Sequence, residues 1–176
     1  IDGSGLVTSP GFIDSHSHAD NNIDKYPLAH NFVMQGVTTL VNGNCGGSPA
    51  PTETESFAEY LSRLEELGLT PNVAMLVGHI QARRVGMGAD CYREATADEI
   101  ERMKAYVEES MKSGAFGISS FFDPPACGEF ASVENEVIPL AEIAGKYGRG
   151  FWPHHRHHRS HWGSSDPEEI SYGIYH

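Results

Sequence analysis

The stretch GFIDSHSHAD, residues 11–20, carries two imidazoles separated by one serine, with carboxylates at Asp14 and Asp20 on either side. On a strand, the two-residue side-chain period puts His16 and His18 on one face and turns Ser15 and Ser17 away. Two neutral imidazoles side by side, with Asp14 or Asp20 to orient them, are the start of a Zn²⁺ site. A bare pair of this kind also occurs as two solvated histidines, so its place in the fold decides more than its spacing. A second concentration lies at HHRHHRSH, residues 154–161, which holds five of the chain's ten histidines. By composition alone that run reads as a solvated low-complexity tail or a sequencing artefact.

The elements that must position these residues alternate. GFIDSH is short, apolar and bounded by glycine, which predicts a buried strand. YPLAHNFVMQG predicts a helix despite its early proline, closed by Gly36. VTTLVN (37–42) is β-branched and predicts a strand that runs into the turn GNCGGSPAP. SFAEYLSRLEELG (56–68) spaces Phe57, Tyr60, Leu61, Leu64 and Leu67 as one helical face. NVAMLVG (72–78) is a continuous apolar run, the kind of strand that a parallel sheet buries on both faces. TADEIERMKAYVEESMKSG (96–114) opens on a Thr96–Glu99 capping box and lines Ile100, Met103, Val107 and Met111 along one face. AFGISSFF (115–122), SVENEVIPLAEIAGKYG (132–148, interrupted by Pro139) and GFWPHH continue as strand, helix and strand. Such regular alternation predicts a parallel α/β architecture. In a parallel barrel the C-terminal ends of the strands line the mouth, and the histidine pair ends the first of them.

Composition narrows the partners. The chain has 176 residues, 39% of them hydrophobic, enough for one domain with a core. Twelve Lys and Arg against 24 Asp and Glu leave a formal charge of −12, which argues against nucleic acid or an anionic membrane surface as partner. No apolar run approaches the ~20 residues of a membrane span. Cys45, Cys91 and Cys127 are widely spaced, odd in number and form no CxxC pair, so they read as reduced thiols of a cytoplasmic protein. The opening IDGSGLVTSPG reads as a strand already under way, so a segment is expected before it.

VTSPGFIDSHSHAD resembles the first barrel strand of the amidohydrolase superfamily, the metal-dependent hydrolases. GVTTLVNGNCGGSPAP (36–51) narrows the resemblance to the N-acyl-D-amino-acid deacylases (D-aminoacylases), whose second strand ends in a Gly-Asn-Cys-Gly turn. VGHIQARRVGMG (77–88), REAT, GAFGISS and FASVENEVIPLAEIAGKYG continue the likeness in the same order, over roughly residues 1–156.

The resemblance implies an α/β fold, a (β/α)8 TIM barrel beside a small β-sandwich. Residues 1–10 then end a sandwich segment, residues 11–156 form the first part of the catalytic barrel, and residues 157–176 are a histidine-rich tail outside the likeness. His16 and His18 match the family's metal ligands. Cys45 matches the cysteine that ligates zinc where related enzymes use a carboxylated lysine. His154 matches a further zinc ligand at the end of the fifth strand, and Arg156 a substrate-binding arginine. The implied enzyme holds one or two Zn²⁺ ions and hydrolyses the amide bond of a small acylated D-amino acid with metal-activated water. Thiolate and imidazole suit Zn²⁺ and hold Mg²⁺ or Ca²⁺ poorly. Cys45 could otherwise be a small buried hydrophobe, but a glycine-rich turn is a poor place for core packing. Two other readings stay open: a cyclic-amide hydrolase of the hydantoinase or dihydroorotase kind, and a catalytically inactive metal-binding fragment.

The sequence departs from the family pattern in three respects. GISSFFDPPACGEFAS is one residue short and has Phe121, Phe122 and Asp123 where a Gly-Leu pair and a substrate-side tyrosine are usual. Nothing after Arg156 aligns. A full barrel of eight strands takes ~250 residues, so the last zinc-binding histidine and the general-base aspartate are expected beyond this chain, and its five strands should leave an edge open. Elsewhere, His79 reads as the end of the third strand, facing the pocket or hydrogen-bonded behind it. Arg83 and Arg84 read as a solvated loop face rather than a carboxylate clamp, and Cys91 and Cys127 as bystanders.

Overall fold

The computed structural model describes residues 3–52 and 54–154. Five strands follow one another in the chain: β1 (Phe12–Asp14), β2 (Val37–Asn42), β3 (Asn72–Gly78), β4 (Gly117–Phe121) and β5 (Gly150–His154). Their order in the sheet is also β1-β2-β3-β4-β5, and every neighbouring pair is parallel. A doubly wound sheet reverses its strand order at the middle, whereas a sheet that adds each new strand to the same edge is a barrel wall. The fold is therefore part of a (β/α)8 barrel.

Between the strands run α1 (His30–Val33), α2 (Phe57–Leu67), α3 (His79–Met87), α4 (Ala97–Lys112) and α5 (Ile138–Lys146). The starts of α2 and α4 follow from local chemistry. Ser56 and Thr96 each accept a bond from the backbone of Glu59 and Glu99, whose carboxylates return the bond, two complete capping boxes. The predicted face of α4 is buried, with Met103 and Val107 at 0% exposure, against Leu40, Met75, Val77 and Ile118 of the sheet. Pro139 is tolerated because it stands at the start of α5, where its missing N–H breaks no ladder, and a π-turn over Val133–Val137 leads into it.

Four sequence expectations are corrected here. GFIDSH is not a buried strand: Phe12 and Ile13 are 59% and 67% exposed, because β1 ends the sheet order and has β2 as its one neighbour among the described strands. YPLAHNFVMQG yields one helical turn, since Ala29 takes φ of 43° and residues before a proline avoid the helical region. Residues 3–11 hold a turn, Leu6 N–H to Gly3 O at 3.0 Å, rather than a strand. VGHIQARRVGMG contains an unforeseen helix, α3, that follows β3 without a loop. Its Gly86 lets α3 approach α4 closely, as a Cβ there would lie 2.7 Å from Met103 Cγ and 2.9 Å from Glu99 O. No described helix is long and apolar enough to cross a membrane.

Candidate metal centre

β2 delivers the chain into the turn Gly43–Gly46 at its C-terminal end. Gly43 has φ of 77°, and a Cβ there would collide with the carbonyl of Leu76 on β3, so the position accepts glycine alone. Cys45 itself takes φ of 53°, a left-handed backbone that a side chain rarely adopts. The surroundings hold it there. Asn44 Nδ2 donates to Val41 O at 2.7 Å and to Ser17 O at 3.2 Å, tying the cysteine turn to the loop that carries both histidines. Ser119 on β4 accepts from Gly46 N–H at 3.0 Å and donates to Gly43 O.

The thiol so presented touches two imidazoles. Cys45 Sγ lies 3.3 Å from His16 Nε2 and 3.5 Å from His154 Nδ1. The His16 and His18 rings stand 5.3 Å apart, edge to face, and ligand atoms of His16, His18 and Cys45 all lie within 4.8 Å of one another. The pair is not on the strand as predicted, since β1 stops at Asp14; on the loop that follows, Ser15, His16 and His18 are exposed and Ser17 is buried. The contact with His154 depends on curvature. β2 and β5 are three strands apart in the sheet order, or roughly 14 Å on a flat sheet at about 4.8 Å per strand. The sheet must curl as a barrel wall for their ends to meet.

The donor set fits Zn²⁺. Bonds of about 2.3 Å to sulfur and 2.0–2.1 Å to nitrogen, at a tetrahedral angle, put the two donors roughly 3.5 Å apart. Both thiol–imidazole separations match that edge. Burial pushes the Cys45 thiol up, and the charge of Asp20 adds to it. Burial likewise pushes Asp20 above its ordinary value, against the lowering effect of a hydrogen bond from the Gly43 backbone, and its Oδ1 is buried without a hydrogen-bond partner. A cation among these groups would reverse both shifts, since it favours thiolate and carboxylate. His18, Asp20, Asn44, Cys45 and Ser48 line an open cavity of about 400 Å³ beside the thiol.

Of the residues singled out in the sequence, the structure thus gathers His16, His18, Cys45 and His154. Arg156 lies outside the described residues, as does the rest of the histidine-rich run. Asp14 does not orient an imidazole; its Oδ1 accepts from the His16 backbone N–H at 3.2 Å. His79 points into the core, with Nε2 2.7 Å from Glu136 Oε1, and does not face the cavity. Arg83 is not a solvated loop residue. It is fully buried in α3 and ion-paired to Glu136, while Arg84 is exposed. Cys91 and Cys127 are buried and free and are not part of the His16–His18–Cys45 cluster. Sequence reasoning missed the supports of the cysteine turn, Asn44 and Ser119. A polar residue next to a predicted ligand in a glycine turn was the available signal for Asn44.

Comparison with known proteins identifies the family and the fold. The model of the amidohydrolase family matches residues 1–144. A D-aminoacylase of Alcaligenes xylosoxydans xylosoxydans is 38% identical over 180 residues, which cover 92% of this chain and 36% of that protein. A crystal structure of D-aminoacylase superposes with a TM-score of 0.76 at 36% identity, covering 84% of this chain and 34% of that one. An N-acyl-D-glutamate deacylase from Bordetella bronchiseptica, solved with zinc and a phosphonate mimic of the tetrahedral intermediate, superposes with a TM-score of 0.75 at 31% identity over 83% and 34% of the two chains. This chain therefore spans about a third of the length of the relatives it matches.

Proposed function

Because this chain belongs to the amidohydrolase family, we propose that it is part of a zinc-dependent deacylase that hydrolyses the amide bond of N-acyl-D-amino acids. The observation that carries the reading is the thiol of Cys45 held 3.3 Å from His16 and 3.5 Å from His154 at the C-terminal ends of parallel strands. Cys45, His16, His18 and His154 hold one or two ions in this reading, with Cys45 and His154 forming the tighter position because thiolate is the softest donor of the set. Bound zinc supplies Lewis acidity toward an amide carbonyl and lowers the pKa of water to about 7.

The chain's own residues do the rest. The strained turn at Cys45, pinned by Asn44 and Ser119, fixes the thiol before any ligand arrives, so little order is lost on binding. The open cavity beside His18, Asp20 and Asn44 admits a small acylated amino acid. Arg156 is assigned to its carboxylate. Residues 11–156 make up the first part of the catalytic barrel, and residues 1–10 the end of a β-sandwich segment. A closed barrel needs eight strands, and the described residues supply five. In isolation the 176 residues should accordingly hold metal without turning over substrate.

The test uses the complete gene product. Elemental analysis should find zinc, Cys45→Ala should lose it from the tighter position, and N-acetyl-D-amino acids should be hydrolysed faster than their L-enantiomers or dihydrouracil. Unchanged zinc content in Cys45→Ala removes the cysteine from the site. Faster turnover of dihydrouracil transfers the protein to the cyclic-amide hydrolases.

A further inference from the structure

The ring of His154 faces a different partner with each nitrogen. Nδ1 lies 3.5 Å from Cys45 Sγ, and Nε2 lies 3.6 Å from Asp123 Oδ2. Phe121, the last residue of β4, packs against the same ring with centroids 4.3 Å apart. Asp123 stands two residues further on and is 5% exposed. Its position is held by backbone bonds on both sides: Phe122 N–H to His154 O at 3.3 Å, and Ala126 N–H to Asp123 O at 3.1 Å. A carboxylate this buried has been taken out of water to face one imidazole nitrogen, a cost that an exposed acid would not bear.

We infer that Asp123 is the positioning residue of the metal centre, the carboxylate that takes the Nε2 proton of His154 in a hydrogen bond and so presents Nδ1 to the cation shared with Cys45. A neutral imidazole carries one proton, so a ligating Nδ1 requires it on Nε2. A carboxylate facing Nε2 selects that tautomer, fixes the ring's orientation and raises the basicity of the nitrogen that binds the metal. At 3.6 Å the pair stands just beyond hydrogen-bond length, and a side-chain shift of about half an ångström closes it. Asp123 is not itself a ligand of that cation, because it faces the nitrogen on the other side of the ring from the thiol. This inference rests on the metal centre proposed above but not on the substrate.

The test titrates Co²⁺ into the full chain and follows the thiolate-to-cobalt charge-transfer absorption that Cys45 alone should give, with zinc affinity measured by competition against a chromophoric chelator. Asp123→Ala should weaken binding roughly 10- to 100-fold and leave the d–d bands in the unmodified pattern. In a His154→Ala background the same change should cost nothing further, since Asp123 acts through that ring. Asp123→Asn keeps the volume and one acceptor but not the charge. It should fall between, and it carries the test if alanine disturbs the fold. Affinity unchanged by either substitution, an equal loss with and without His154, or an altered d–d pattern marking Asp123 as a ligand each overturns the inference. A charge-transfer titration whose midpoint does not move in Asp123→Ala overturns this inference alone. No band in the unmodified chain overturns the metal centre with it.

Discussion

Replacing Arg83 by alanine leaves the buried carboxylate of Glu136 with His79 alone as its described partner. Arg83 and Glu136 have side chains 0% and 1% exposed. Arg83 Nη1 donates to both carboxylate oxygens at 2.6 and 2.5 Å, and Nη2 donates to the carbonyls of Cys91, at 3.0 Å, and Arg93. His79 Nε2, 2.7 Å from Oε1, is the remaining partner of the acid. Breaking a buried pair on one side costs about 3–5 kcal/mol, because the survivor stays charged in a poor solvent. Orphaning two buried carbonyls adds about 1 kcal/mol or more unless water fills the space. With a urea slope of about 2 kcal/mol per molar, the midpoint should fall by roughly 2 M at unchanged slope. Unfolding would be followed by Trp fluorescence and by circular dichroism. Lys104→Ala, which breaks an exposed pair with Glu101 (33% and 70% exposed), should move the midpoint by no more than about 0.25 M, since such pairs contribute under about 0.5 kcal/mol. Arg83→Met combined with Glu136→Leu should recover most of the loss, as no charge is then stranded. If Arg83→Ala moves the midpoint no further than Lys104→Ala, the charge on Glu136 is not stranded and the argument fails.

Three further outcomes follow from neighbouring geometry. Burial would push Glu136 up, but hydrogen bonds and charge from His79 and Arg83 outweigh it and hold the carboxyl below its ordinary value. Such a group contributes stability above the unfolded pKa of about 4.3 that is lost as pH falls through the lower folded value. Melting temperatures should therefore drop steeply below about pH 4, and Glu136→Gln should flatten that slope. Gly43→Ala forces a side chain into Leu76 O at φ of 77°; at about 1–3 kcal/mol for the strain alone, it should lower the thermal midpoint and zinc affinity together. Asn44→Ala cuts the bonds to Val41 O and Ser17 O that join the two ligand loops, so zinc affinity by chelator competition should fall about tenfold or more, as for other supports behind a metal ligand.

What could be read in advance was set by short-range chemistry. The capping boxes at Ser56 and Thr96, the apolar run of β3 and the buried stripe of α4 are each specified within a few neighbouring residues, and each stands where its pattern puts it. The turn after β2 was legible in its glycine-rich composition, and its cysteine and the histidine pair in their resemblance to the amidohydrolase pattern. α3 was not legible. Gly86 and the β-branched Ile80 and Val85 make it a weak helix by propensity, and it exists because Gly86 lets it lie against α4 and Arg83 finds Glu136, 53 residues away, inside the core. Packing overrode composition there.

The sequence by itself therefore determined the parallel α/β order, the presence of donor-type side chains at His16, His18, Cys45 and His154, and a formal charge of −12. Tertiary structure alone decided which groups meet. Cys45 and His154 are 109 residues apart in the chain and three strands apart in the sheet, and only the curl of the wall brings them to 3.5 Å. Tertiary packing likewise sets Asp123 3.6 Å from His154 and turns His79 and Arg83 inward to Glu136. The physical reason is one of range: propensities, caps and alternation act over a few residues, whereas donor geometry depends on how whole strands pack, and no local pattern encodes that distance.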